Sequence, residues 1–175
     1  MKYITPIIIL FLLTGCKQKQ TVLLLPDPVA LTKEAAGHYC QMEILGHKGP
    51  KAQVHLEGML APLWFSQVRD GLAYMKSPER DGKVLVLYVN DMGRAISWTQ
   101  PGEKNWIKAK DAYFVVGSNA IGGMGAPEVV PFASQNDAKK FASERGGKVM
   151  RLDKIPMDAV LAPIKLSSNI LETNK

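Results

Sequence analysis

Cys40-Gln41-Met42 sets a thiol and a thioether two residues apart. In an extended strand residues i and i+2 project to the same face, and at about 3.3 Å per residue their Cα atoms lie roughly 6.5 Å apart. Two soft sulfurs at that spacing can close on one ion, and soft ligands select Cu(I). Zinc would want four Cys, His or carboxylate ligands. A second reading stands beside this one, in which both residues pack as hydrophobes on one strand. Met124 is the next candidate. It lies in Gly122-Gly123-Met124-Gly125, where three glycines loosen the backbone and leave the side chain little cover. An incidental Met in a mobile turn is the alternative there.

The remaining sulfur and nitrogen donors are weaker candidates. Met75 and Met150 fall on expected core positions, whereas Met59 and Met92 fall at turns and are possible auxiliary ligands. His38, His47 and His55 cluster near Cys40, and His38 shares the strand face of Cys40 under the same alternation, which makes it a further auxiliary candidate. A histidine beside Cys40 also admits a thiol nucleophile with a base. No GxSxG elbow, HExxH pair, P-loop or dinucleotide fingerprint accompanies it.

The chain has two cysteines, and the first belongs to the export machinery. Met1-Lys2-Tyr3, a short apolar run at residues 7–13 and Leu13-Thr14-Gly15-Cys16 describe a signal peptide over residues 1–15. The apolar run is too short to span a bilayer. The Leu-Thr-Gly-Cys ending marks a bacterial lipoprotein signal, cut before Cys16, whose sulfur then carries lipid. Multiple acyl chains anchor stably. Lys17 rather than Asp at the next position favours the outer over the inner membrane, with the domain in the periplasm. Cys40 is then the sole thiol of the mature chain, in a compartment where thiols normally pair.

The elements that must hold these residues fall into two similar halves. Residues 16–36 read as the lipidated N-terminus and a tether of little structure, and residues 163–175 as a flexible tail. The domain between them covers residues 37–162. Its first half, about 37–90, has strands expected at 38–44 and 52–57, a helix over 62–75 with Trp64, Val68, Leu72 and Met75 on one stripe, and a strand at 84–89. The second half, about 106–152, has strands at 112–117 and 128–132 and a helix entered at Ser134 with Asp137 in the box position. Gly146-Gly147 stops that helix before a strand at 148–152. Two ββαβ units of antiparallel or mixed sheet, covered on one side by helices, make an α+β fold.

The formal charge is +6, falling to +5 without the signal, and the excess is spread out. No dense Lys/Arg cluster with interleaved aromatics is present, which argues against a nucleic-acid partner.

The ordered set of motifs resembles the NosL family, lipoprotein accessory factors for nitrous oxide reductase. The matching residues are the lipobox at Cys16, His38-Tyr39-Cys40-Gln41-Met42, Ala52-Gln53-Val54-His55-Leu56, and Pro62-Leu63-Trp64-Phe65-Ser66. Leu87-Tyr88-Val89-Asn90-Asp91-Met92-Gly93, the Gly-Gly-Met-Gly loop and Val130-Pro131-Phe132-Ala133-Ser134 follow. The resemblance implies a non-enzymatic periplasmic Cu(I) chaperone that helps build the copper–sulfur site of nitrous oxide reductase. It also implies partners, a periplasmic adaptor and an ABC-type transporter, and it maps the metal ligands onto Cys40, Met42 and Met124. A thiol-dependent enzyme using Cys40, or a metal-free adaptor of the same machinery, are the competing expectations.

Overall fold

The computed structural model describes residues 25–163. The expected signal peptide, Cys16 and nearly all of the expected C-terminal tail therefore lie outside the described residues. Among the described residues seven strands form two antiparallel sheets. The first contains β1 (Ala52–Leu56), β2 (Leu63–Phe65), β3 (Val84–Asn90) and β4 (Trp106–Lys108), in the order β2-β1-β3-β4. The second contains β5 (Tyr113–Val116), β6 (Val130–Phe132) and β7 (Lys148–Arg151), in the order β6-β5-β7. Helix α1 (Val68–Lys76) packs on the first sheet, and α2 (Gln135–Arg145) on the second. A short α3 (Asp158–Leu161) closes against α1. Each half is thus ββαβ, as expected, and β4 adds a fourth strand to the first sheet.

Alternation explains how the first sheet is covered. Ala52 pairs with Val89 and Val54 with Leu87, and all four face the main core with Val68 and Leu72 of α1. Gln53 pairs with Tyr88 on the opposite face. There the segment before β1 covers the sheet: Gln53 accepts from Val29 N–H at 2.8 Å and donates to Val29 O at 2.9 Å. Tyr88 donates to Pro26 O at 2.8 Å, and Leu31, Ala35 and Ile44 form a small core beside Trp64, Trp106 and Cys40. The described part of the expected tether, residues 25–36, has no helix or strand. It is nevertheless docked, because it satisfies polar side chains that β1 and β3 would otherwise bury unpaired.

The same alternation divides the second sheet. Phe114 enters the main core, while Val115 packs with Val130, Phe132 and Ala138 under α2. Both halves therefore share one core. Ser134 caps α2 by accepting from Asp137 N–H at 3.4 Å, as the box pattern predicts.

Two boundaries in the first half differ from expectation. Residues 63–65 pair as β2 rather than opening the helix, so α1 starts at Val68 and Trp64 leaves the helix stripe for the small core. Residues 38–44 form a tight reversal instead of a strand. Ala36 bridges Glu43, Gly37 N–H donates to Met42 O at 2.9 Å, and Gln41 N–H donates to Gly37 O at 2.8 Å. Gln41 takes φ +55°, and its side-chain amide donates to His38 O at 2.7 Å. Local hydrogen bonding has outcompeted an extended ladder here.

Candidate metal centre

The reversal at 38–41 leans on β2: His38 N–H donates to Trp64 O at 2.7 Å, and Gly37 bridges Trp64. Its far end faces the turn between β2 and α1. Together they form a cleft of about 390 Å³ lined by His38, Cys40, Gln67, Asp70, Met124 and Ala126, among others. Cys40 is a free thiol, half-buried against the small core. Its sulfur sits over Gly37, where any Cβ would stand 2.5 Å from Sγ. The glycine makes room for the thiol.

Met124 reaches the same cleft from the second half, 40% exposed. The glycines of its loop are needed for close approach more than for looseness. A Cβ on Gly122 would lie 2.5 Å from Gln67 Oε1 and 2.6 Å from Glu128 Oε2. One on Gly123 would lie 2.8 Å from His47 Cβ and 2.9 Å from Lys48 O. The loop closes on itself through Gly122 N–H to Ala126 O (2.8 Å) and Gly125 N–H to Gly122 O (3.0 Å). Gln67 Oε1 accepts from Met124 N–H at 3.1 Å, and His47 Nδ1 lies 3.2 Å from Gly123 O. Expected to be a loose tether for Met124, the loop is fastened along its length.

The other expected residues separate. Met42 is 47% exposed on the outgoing arm of the reversal and does not line the cleft. The shared strand face expected for Cys40 and Met42 is lost, because the turn at Gln41 ends the two-residue alternation. Met59 is exposed beyond the end of β1, outside the cleft. Met92 turns toward Phe132 and Phe141 in a separate hollow. The backbone around Met92 explains its Asn90-Asp91 motif. Asn90 Oδ1 accepts from Lys51 N–H at 2.7 Å, and Asp91 Oδ1 accepts from Gly93 N–H at 3.0 Å and Ala133 N–H at 2.9 Å.

The histidines are committed to other partners. His38 lines the cleft, but its Nε2 lies 3.7 Å from the Asp81 carboxylate and its ring packs on Phe65 and Tyr74. His47 meets the Gly123 carbonyl, and His55 Nε2 lies 2.9 Å from Gln53 Oε1. Among the described residues no three His, Cys, Asp or Glu side chains converge on one point. Sulfur is therefore the donor type that Cys40 and Met124 bring to the cleft.

Three buried polar groups at or near the cleft were not foreseen from sequence. Gln67, 3% exposed, precedes α1 as its N-cap residue, yet its side chain makes no cap bond. Glu128 performs that task from the second half: its Oε1 accepts from Arg69 N–H at 2.9 Å and from Val129 N–H at 2.9 Å. Glu128 Oε2 has no hydrogen-bond partner among the described residues, and burial pushes the carboxyl up to about 8. Lys51, also fully buried, donates to the carbonyls of His47 and Gly49, and burial pulls it down to about 8. Asp70, at the cleft wall, is raised by burial, with a bond from Gln67 Nε2 acting the other way. The one sequence signal for Gln67 was its place in Phe65-Ser66-Gln67, which echoes Ala133-Ser134-Gln135 at the second helix entry.

The copper-binding lipoprotein NosL of Achromobacter cycloclastes is 51% identical over 160 residues, covering 91% of this chain and 82% of the relative. The copper-binding lipoprotein NosL of Stutzerimonas stutzeri is 37% identical over 150 residues, covering 85% and 76%. The crystal structure of the copper chaperone NosL from Shewanella denitrificans superposes with a TM-score of 0.69 at 32% identity, covering 74% of this chain and 95% of that one. The solution structure of apo-NosL from Achromobacter cycloclastes gives 0.50 at 52% identity, covering 67% and 94%. These names denote binding and chaperone roles rather than catalysis. The NosL family model matches residues 28–160, so the chain, with its two ββαβ halves meeting at a sulfur-lined cleft, belongs to the NosL family.

Proposed function

We propose that this protein is a periplasmic Cu(I) chaperone whose cargo sits between Cys40 and Met124. The observation that carries the reading is their shared cleft, which joins a thiol from one half to a thioether from the other. Thiolate and thioether are the donors that Cu(I) prefers. Relatives named as copper-binding lipoproteins support the same cargo. Met42 is the third ligand of the proposal. It stands two residues beyond Cys40 on the exposed arm, so a rotation of its flexible side chain is required to bring its sulfur to the metal. Two or three sulfurs leave an edge of the ion open, and an acceptor's ligand enters there, so copper passes by exchange. The recipient is the copper–sulfur centre of nitrous oxide reductase, reached with an ABC-type transporter and its periplasmic adaptor. Lipid on Cys16 holds the chaperone at the outer membrane, within reach of that machinery.

Anaerobic Cu(I) titration of residues 17–175 against a chelator of known affinity tests the reading, with absorption-edge spectroscopy to count sulfur ligands. Cys40→Ser should lose tight binding. Undiminished affinity in that variant rejects the site. A thiol enzyme is disfavoured because among the described residues no histidine hydrogen-bonds the Cys40 sulfur, His47 and His55 bonding instead to Gly123 and Gln53, and because the relatives are named for copper binding and chaperone roles.

A further inference from the structure

We infer that Gln67 is a positioning residue for the copper ligand Met124, fixing the ligand's backbone while leaving its sulfur free. The inference deepens the proposed copper site and rests on that reading.

Three observations converge on it. Gln67 is buried at the mouth of α1, and a residue in that place normally spends its side chain on the first turn of its own helix. Here Glu128 reaches across from the second half and accepts the Arg69 N–H instead, so Gln67 is released from capping. Its carboxamide then takes two partners, the Met124 backbone from the second half and the Asp70 side chain in the first turn of α1. Oε1 accepts from Met124 N–H at 3.1 Å, and Nε2 donates to Asp70 Oδ1 at 3.1 Å. A carboxylate accepts and an amide N–H donates, so the two partners together allow one orientation of the carboxamide. Finally, Gly122 leaves a gap that any Cβ would fill, at 2.5 Å from Gln67 Oε1. The loop and the glutamine are shaped to each other.

The consequence concerns how Met124 moves. Its amide is held, whereas its side chain is 40% exposed and turns about three flexible bonds. Copper capture and release therefore proceed by side-chain rotation over a fixed Cα. Residues that orient a ligand in this way commonly change metal affinity by about 10–100-fold when replaced.

Hydrogen exchange of the Met124 amide in the metal-free protein provides the first test. Gln67→Leu, which keeps much of the side chain's bulk and removes its acceptor oxygen, should speed that exchange at least tenfold. Unchanged exchange in Gln67→Leu overturns the inference whatever happens to copper. The second test is a double-mutant cycle read by anaerobic Cu(I) competition. Gln67→Leu should weaken binding about tenfold in the otherwise unaltered protein and hardly at all in Met124→Ala. Equal weakening in both backgrounds means a general structural defect and also overturns it. Should Gln67→Leu fail to fold, Asp70→Ala removes the group that orients the carboxamide. A smaller acceleration at the same amide then supports the inference, and none overturns it. Failure of Cys40→Ser to lose copper would reject the copper site itself, while the metal-free amide measurement still judges Gln67.

Discussion

Cys40 shows how much of the proposed metal site depends on the residue beneath it. Sγ occupies the space a side chain at Gly37 would take. Gly37→Ala keeps an allowed backbone but drives the thiol off its seat, because a cysteine rotates more cheaply than a backbone shifts. The expected outcome is a several-fold weaker Cu(I) site together with faster alkylation of Cys40, measured with a maleimide on the metal-free protein. Unfolding in urea should change by only about 1 kcal/mol. Residue types told much of this in advance. A lone thiol in an oxidising compartment and a methionine among glycines stand out from sequence alone. The geometry linking Cys40 to Met42 did not, because the alternation rule presumes a strand. Here Gln41 adopts φ +55° and its amide bonds back to His38 O, a local choice that no hydrophobic pattern encodes. Gln67 was equally hidden, since its significance lies in a partner far along the chain.

At the scale of elements, the glycine-rich loop separates two uses of glycine that look alike in sequence. Gly122 and Gly123 are crowded by Gln67, Glu128, His47 and Lys48, whereas Gly125 has open space but φ +82°. Gly122→Ala should cost roughly 1–3 kcal/mol through overpacking and should disturb Met124 with it. Gly125→Ala should cost about 1–2 kcal/mol through its left-handed backbone, with copper affinity less affected. Urea denaturation of both variants, paired with Cu(I) competition, distinguishes the two causes. Strands such as Val84–Asn90 and the helix Gln135–Arg145 were legible because long apolar runs and caps act locally. The start of α1 was less so. Leu63-Trp64-Phe65 suits helix or strand, and pairing with Ala52-Gln53-Val54 decided it.

For the molecule as a whole, the buried Glu128 ties stability to pH. Its folded carboxyl is pushed up to about 8 from an ordinary value near 4.5. Between those values the folded chain keeps a proton that the unfolded chain has lost, so this group's contribution falls as pH rises through that window. Asp70, raised by burial, acts in the same sense, whereas His55, lowered by burial, acts in the opposite sense below about 6.5. Lys51, lowered to about 8, changes stability only above that value, where rising pH favours the fold. Comparing Glu128→Gln with the parent isolates the one group. The difference in unfolding free energy should move in favour of the variant by up to about 1.4 kcal/mol per pH unit between pH 5 and 8, by urea titration at each pH. A flat difference would mean that Glu128 ionises normally. The cleft itself straddles the two halves, with the thiol supplied early in the chain and the thioether late. Under the proposed export from the N-terminus, Cys40 and Met42 emerge well before Met124 has been delivered beside them. A half-emerged chain lacks the sulfur that the second half supplies, so the proposed site is complete only once both halves have emerged and folded together.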